Sequence, residues 1–104
     1  MATYEETMAQ IDSDVKGNDA VLYMKGDRDI PMCGFSGRAV QILNAVNADY
    51  VTRNVLDDDT LREAIKEYSN WPTIPQLYVK GEFVGGSDIM MELYQNGEMQ
   101  GMFE

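Results

Sequence analysis

Ala20-Val21-Leu22-Tyr23-Met24-Lys25-Gly26-Asp27-Arg28-Asp29-Ile30-Pro31-Met32-Cys33-Gly34-Phe35-Ser36 is the stretch on which the reading of this chain turns. Val21 to Met24 is an apolar run of strand length, and Val40, Leu43 and Val46 recur at helical spacing beginning just after Ser36. Between them, Lys25 to Met32 is polar and carries Gly26 and Pro31, so it reads as a loop. Strand, loop and helix in this order put Cys33, the only cysteine, near a helix N-terminus. Unpaired N–H groups and the positive end of the helix dipole favour an anion there, so the thiolate is stabilised over the thiol. A sulfur of low pKa is a nucleophile or a metal ligand. The plain alternative for a lone cysteine is a small buried apolar residue. Gly34 and Ser36 around the sulfur, Lys25 at the strand end and Pro31 in the approach favour the reactive reading.

Working outward, the helix is expected from about Phe35 to Asn47, with Gly37 near its start where another backbone or a ligand could come close. Tyr50 to Val55 alternates and is rich in β-branched residues, so residues 20 to 55 form a parallel, right-handed βαβ unit. Upstream, Tyr4 to Lys16 is an amphipathic helix with Met8, Ile11 and Val15 on one stripe, ended by Gly17-Asn18. Downstream, Asp57-Asp58-Asp59 offers N-caps for a helix whose buried face is Leu61, Ala64, Ile65 and Tyr68. Arg62 and Lys66 fall on another side, where a solvated charged face is the ordinary alternative.

Trp71-Pro72-Thr73-Ile74-Pro75 is extended, because each proline restricts the residue before it. The Ile74-Pro75 bond is a candidate cis peptide, which would turn the Ile74 backbone toward an extended, peptide-like ligand; an ordinary trans turn is the alternative. Gln76 to Val79 is a strand, and Lys80-Gly81-Glu82 turns it into Phe83-Val84. After Gly85-Gly86, a helix begins at Ser87-Asp88, with Ser87 as N-cap, Ile89, Leu93 and Tyr94 buried and Gly97 as C-cap. Its exposed first amides could alternatively bind a carboxylate. Met99, Met102 and Phe103 pack a last turn on the core. The order αβαβαββα makes an α/β chain of thioredoxin-like arrangement: a four-stranded mixed sheet flanked by helices, as one domain over residues 1–104.

Composition narrows the function. With 104 residues, 44% hydrophobic and 25% charged, the chain reads as an ordinary globular domain. Eight basic residues face eighteen acidic ones, a net charge of −10, which argues against nucleic acid. No apolar run is of membrane-spanning length, so no membrane role is expected, and Met1 to Gln10 lacks signal-peptide features. The expected location is the cytoplasm, or an organelle matrix if a transit peptide has been removed. Lys25, Arg28 and Arg38 lie near Cys33 in sequence, and a small anion could be held there. With no histidine and one cysteine, the chain cannot build a tetrahedral zinc site alone.

Met24-Lys25-Gly26, Pro31-Met32-Cys33-Gly34-Phe35-Ser36, Trp71-Pro72-Thr73-Ile74-Pro75 and Gly85-Gly86-Ser87-Asp88 together resemble the monothiol glutaredoxins of the CGFS type, over nearly the whole chain. The resemblance implies a single glutaredoxin domain that binds glutathione beside the cysteine and carries a bridging [2Fe–2S] cluster to acceptor apoproteins of iron–sulfur biogenesis. Carried over residue by residue, Cys33 is the redox-active thiol and iron ligand. Lys25 and Arg62 meet glutathione carboxylates, Ile74 pairs its backbone with the cysteinyl unit beside cis-Pro75, and Ser87 and Asp88 hold the γ-glutamyl end. Some members have cysteine where this chain has Ser87, so a second thiol there is absent. Besides a cluster-bridged homodimer, the resemblance allows a BolA-like partner.

One thiol per chain suits that implied cargo. A [2Fe–2S] centre in its common form takes four sulfur ligands, and two chains with two glutathiones supply four. The competing reading is enzymatic: Cys33 takes glutathione from a glutathionylated protein as a mixed disulfide, and a second glutathione releases it. Ser36 stands where a resolving cysteine would be, so a dithiol route is closed, and the resemblance implies at most weak oxidoreductase activity. A third reading is a glutathione-binding adaptor without a cluster.

Overall fold

The computed structural model describes residues 2–103; Met1 and Glu104, the ends of the expected domain span, lie outside the described residues. The chain runs α1 (Tyr4–Gly17), β1 (Ala20–Met24), α2 (Gly34–Ala45), β2 (Val51–Asn54), α3 (Asp59–Ser69), β3 (Gln76–Val79), β4 (Glu82–Gly85), α4 (Ser87–Gln95) and α5 (Glu98–Met102). The sheet order is β2-β1-β3-β4. β1 pairs parallel with β2, Met24 opposite Asn54, and antiparallel with β3, Leu22 opposite Leu77. β3 pairs antiparallel with β4. Lys80 and Gly81 both have positive φ, 52° and 84°, as the tightest hairpin turns require.

β1 is buried along its length because it is central and covered on both faces. Successive side chains point to opposite sides. Ala20, Leu22 and Met24 join Ala39, Val40, Leu43, Leu77, Met90 and Met99 in one core layer. Val21 and Tyr23 join Ile11, Val15, Ala64, Ile65 and Tyr78 in the other. α1 begins with a reciprocal capping box between Thr3 and Glu6, and α3 is capped by Asp58, whose side chain accepts the Thr60 N–H. α3 presents Ala64 and Ile65 to the core, with Leu61 and Tyr68 partly buried against them.

Three expectations are corrected. Gly86, not Ser87, is the N-cap of α4, and no side chain caps that end. The buried apolar residue of α4 is Met90, whereas Ile89 is 37% and Tyr94 42% exposed. α4 packs against α2 and β4, with Met90 in the core between them and Leu93 partly buried against it. Asn96 closes α4, and Gly97 is the left-handed residue beyond it that also opens α5. Met99, Met102 and Phe103 do pack on the core, Met99 fully buried. At Gly37, among the described residues, an added Cβ would meet only the Pro31 side chain, 3.7 Å away, and no other backbone.

Candidate functional site

β1 ends at Met24, and the chain leaves the sheet through a short hairpin loop. Met32 N–H donates to the Lys25 carbonyl at 2.9 Å, Gly26 bridges Pro31, and the Asp27 carboxylate accepts the N–H groups of Asp29 and Ile30. Gly26 sits at φ 86°, and an added Cβ would lie 2.4 Å from the Ile30 carbonyl oxygen. Only glycine fits that bend.

The loop delivers Cys33 as the N-cap of α2, in extended conformation and partly exposed. Its thiol is held below the ordinary cysteine value. The largest cause is the Ser36 backbone N–H; burial works against it, and the Phe35 N–H, the Ser36 hydroxyl and the Lys25 charge lower it further. Ser36 itself is completely buried, and its oxygen accepts the Lys25 backbone N–H at 3.1 Å. The expected acidity of Cys33 thus comes from the first turn of α2 and the end of β1 acting together.

Beside this corner runs a cleft of about 440 Å³, within the size range of small-molecule sites. Its walls include Lys25 from the end of β1, Phe35 from α2, Arg62 and Lys66 from α3, the segment Trp71 to Pro75, and Gly86 to Ile89 at the start of α4. Every binding residue expected from the sequence, Lys25, Arg62, Ile74, Pro75, Ser87 and Asp88, is a wall residue. Cys33 is not; it stands at the cap two residues before Phe35. The Ile74-Pro75 bond is cis. Gly86 has no side chain where one would lie 3.3 Å from the Pro75 carbonyl oxygen and 3.6 Å from the Trp71 indole nitrogen, which lets the two halves of the wall meet.

Lys66, whose alternative was a solvated face, lies in the wall one turn from Arg62. Their spacing of four residues was the signal that both face one way. Lys66 keeps a long 3.9 Å approach to the exposed Glu63. Three cations and one carboxylate, Asp88, therefore line a cleft in a chain of net charge −10. Arg28 and Arg38 are not wall residues. Arg28 instead lies over the Tyr50 ring, 4.2 Å from its centroid, and donates to the Tyr50 carbonyl. Trp71, Thr73 and Ile89 also line the cleft; nothing in their local sequence marks them as ligands, and Ile89, expected in the core, faces the cleft instead.

The comparisons with known proteins agree with this architecture. The family model described as Glutaredoxin matches residues 20–84. An uncharacterised monothiol glutaredoxin of Synechocystis sp. is 60% identical, over 95% of this chain and 92% of its own. The solution structure of reduced poplar apo GrxS14 is 48% identical with a TM-score of 0.83, covering 97% of this chain and 93% of that one. A crystal structure of a buckwheat glutaredoxin–glutathione complex, only 21% identical, shares the fold at a TM-score of 0.84 over 96% of this chain and 89% of its own. No described helix is long and apolar enough to cross a membrane. With one thiol in the sequence and likeness to monothiol relatives running almost end to end, the chain belongs to the glutaredoxin family, among its monothiol members.

Proposed function

We propose that this monothiol glutaredoxin binds glutathione in the cleft beside Cys33 and carries a [2Fe–2S] cluster, as cargo, to acceptor apoproteins of iron–sulfur biogenesis. The observation that carries the reading is a cationic cleft in an acidic protein, set beside a single thiol of lowered pKa. Glutathione has two carboxylates and one ammonium, so it needs local positive charge and one acceptor. Lys25, Arg62 and Lys66 meet the carboxylates, the backbone beside Pro75 at Ile74 pairs with the cysteinyl unit, and Ser87 and Asp88 take the γ-glutamyl end. A buckwheat glutaredoxin of like fold forms a complex with glutathione, which supports glutathione as the ligand.

The donor chemistry fits the cargo. One chain offers one thiolate, Cys33, and a four-thiolate shell is completed by a second copy and two glutathiones. Half of such a shell is exchangeable, which suits transfer. The partners are a second copy in a cluster-bridged homodimer, a BolA-like protein in place of one copy, and the acceptor apoproteins. The location is the cytoplasm or an organelle matrix, where thiols stay reduced.

The partial exposure of Cys33 and its lowered pKa also favour a second activity: its thiolate attacks the glutathione sulfur of a mixed disulfide and releases the protein thiolate. A second glutathione thiolate then attacks the glutathione sulfur bound to Cys33, forming glutathione disulfide and releasing Cys33 as its thiolate. Anaerobic reconstitution with iron, sulfide and glutathione tests the main reading. A visible chromophore on a dimer that reverts to monomer on cluster loss, absent in Cys33→Ser, is the expected result. A colourless protein with rapid glutathione–disulfide exchange would leave the enzymatic reading in its place.

A further inference from the structure

Lys25 is a residue whose backbone is fixed on both sides although it lies just past the end of its strand. The parallel ladder closes with the Val55 N–H on the Met24 carbonyl. Beyond it, the Lys25 N–H goes to Ser36, the Lys25 carbonyl accepts from Met32, and the Gly26 N–H goes to the side-chain oxygen of Asn54 at 3.0 Å. The same Asn54 oxygen accepts the Leu56 N–H at 2.9 Å. Its amide nitrogen faces Asp57 at 3.4 Å, which sets the orientation of the amide. Asn54 can do this because it is the last residue of β2 and sits opposite Met24, so its side chain reaches the residues that follow the partner strand.

We propose that Asn54 is a positioning residue for the glutathione cleft: by holding the Gly26 and Leu56 N–H groups on one oxygen, it clamps the bend after Lys25 and so keeps the Lys25 ammonium in the wall. This rests on the reading of the cleft as a glutathione site. Gly26 is buried, so removal of the Asn54 oxygen leaves its N–H without a partner, and the bend relaxes to find one. Lysine is long and flexible; its contact with a carboxylate is productive only while its origin is fixed. An acceptor is what the position requires, not an amide as such.

A double-mutant cycle tests this, with reduced glutathione as the titrant in calorimetry. Wild-type protein binds, and Lys25→Ala weakens binding by about three- to fivefold. Asn54→Ala weakens it by about the same factor alone and by less than about 1.5-fold in the Lys25→Ala background, because it acts through Lys25. The exchange Asn54→Asp with Asp57→Asn keeps the acceptor and the net charge, and restores affinity to within about twofold of wild type. If Asn54→Ala does not fold, Asn54→Gln, which displaces the oxygen by one methylene, replaces it in the cycle. Unchanged affinity in the single variant, additivity in the cycle, or an exchange variant as weak as the single one overturns the role of Asn54. Wild-type protein that does not bind glutathione overturns the cleft reading itself, before any variant is compared.

Discussion

The Lys25 backbone N–H and the Ser36 hydroxyl oxygen lie 3.1 Å apart, with Ser36 wholly buried. Ser36 therefore accepts from the end of β1 while its own N–H and hydroxyl favour the Cys33 thiolate. The fourth residue of the motif joins strand, helix and sulfur, besides standing where a second cysteine could have been.

Ser36→Ala should accordingly raise the Cys33 pKa toward the ordinary value of 9.0. The rate of iodoacetamide alkylation against pH measures this; a midpoint that does not move upward would contradict it. The sign in stability follows. A thiol whose pKa is lower folded than unfolded favours the folded state fully above the unfolded value, and the contribution is lost as pH falls through the folded value. The stability of wild type relative to Cys33→Ser should therefore rise between a pH below the folded pKa and pH 9, and Ser36→Ala should flatten that rise.

Much of this was legible beforehand because several local signals agreed. The apolar run at 21–24, the helical period after Ser36 and the proline pair at 72 and 75 each point to one element, and the cleft residues follow from their order. What was missed depends on how elements pack. Gly86 rather than Ser87 caps α4, because the cap is set by where the chain turns after β4. Ile89 and Met90 are neighbours in sequence, and only the packing of α4 on α2 and β4 decides which is buried. Asn54 reads as an ordinary strand residue; its oxygen accepts the Leu56 N–H two residues on, a local pattern, but also the Gly26 N–H from 28 residues before, a pairing that no short sequence window contains.

Gly26 provides a test of the bend. At φ 86°, with a Cβ 2.4 Å from the Ile30 oxygen and 2.7 Å from the Met32 nitrogen, any side chain meets backbone that cannot swing away. Gly26→Ala should cost at least about 2 kcal/mol in urea unfolding. Gly17→Ala, with nothing near its added methyl and no left-handed φ, should cost nothing measurable and serves as the control.

Tyr23 gives a prediction of the opposite sign. It is fully buried in the layer under α1 and α3, edge-on to Tyr78, and among the described residues its hydroxyl has no hydrogen-bond partner. Burial pushes its pKa upward, so the phenol stays neutral at working pH. A buried, unpartnered hydroxyl costs desolvation that phenylalanine does not incur. Tyr23→Phe should raise unfolding stability by about 1 kcal/mol, and a loss of stability would show that the hydroxyl has a partner.

Lys66 separates a cleft contact from a solvated charge. Its only ion-pair neighbour among the described residues, the exposed Glu63 at 3.9 Å, is too distant and too wet to hold it, so its ammonium is available to a ligand. As a cleft contact, Lys66→Ala weakens glutathione binding by about threefold in 0.1 M salt. The whole chain repels an anionic ligand while the cleft attracts it, and salt treats the two differently. At 1 M salt, where screening acts over about 3 Å, the long-range repulsion disappears and only contacting charges remain. The ratio of wild-type to Lys66→Ala affinity should thus persist at high salt if the ammonium touches the ligand, and collapse toward one if Lys66 contributes only to the general field. A ratio of one at both salts returns Lys66 to the solvated face of α3.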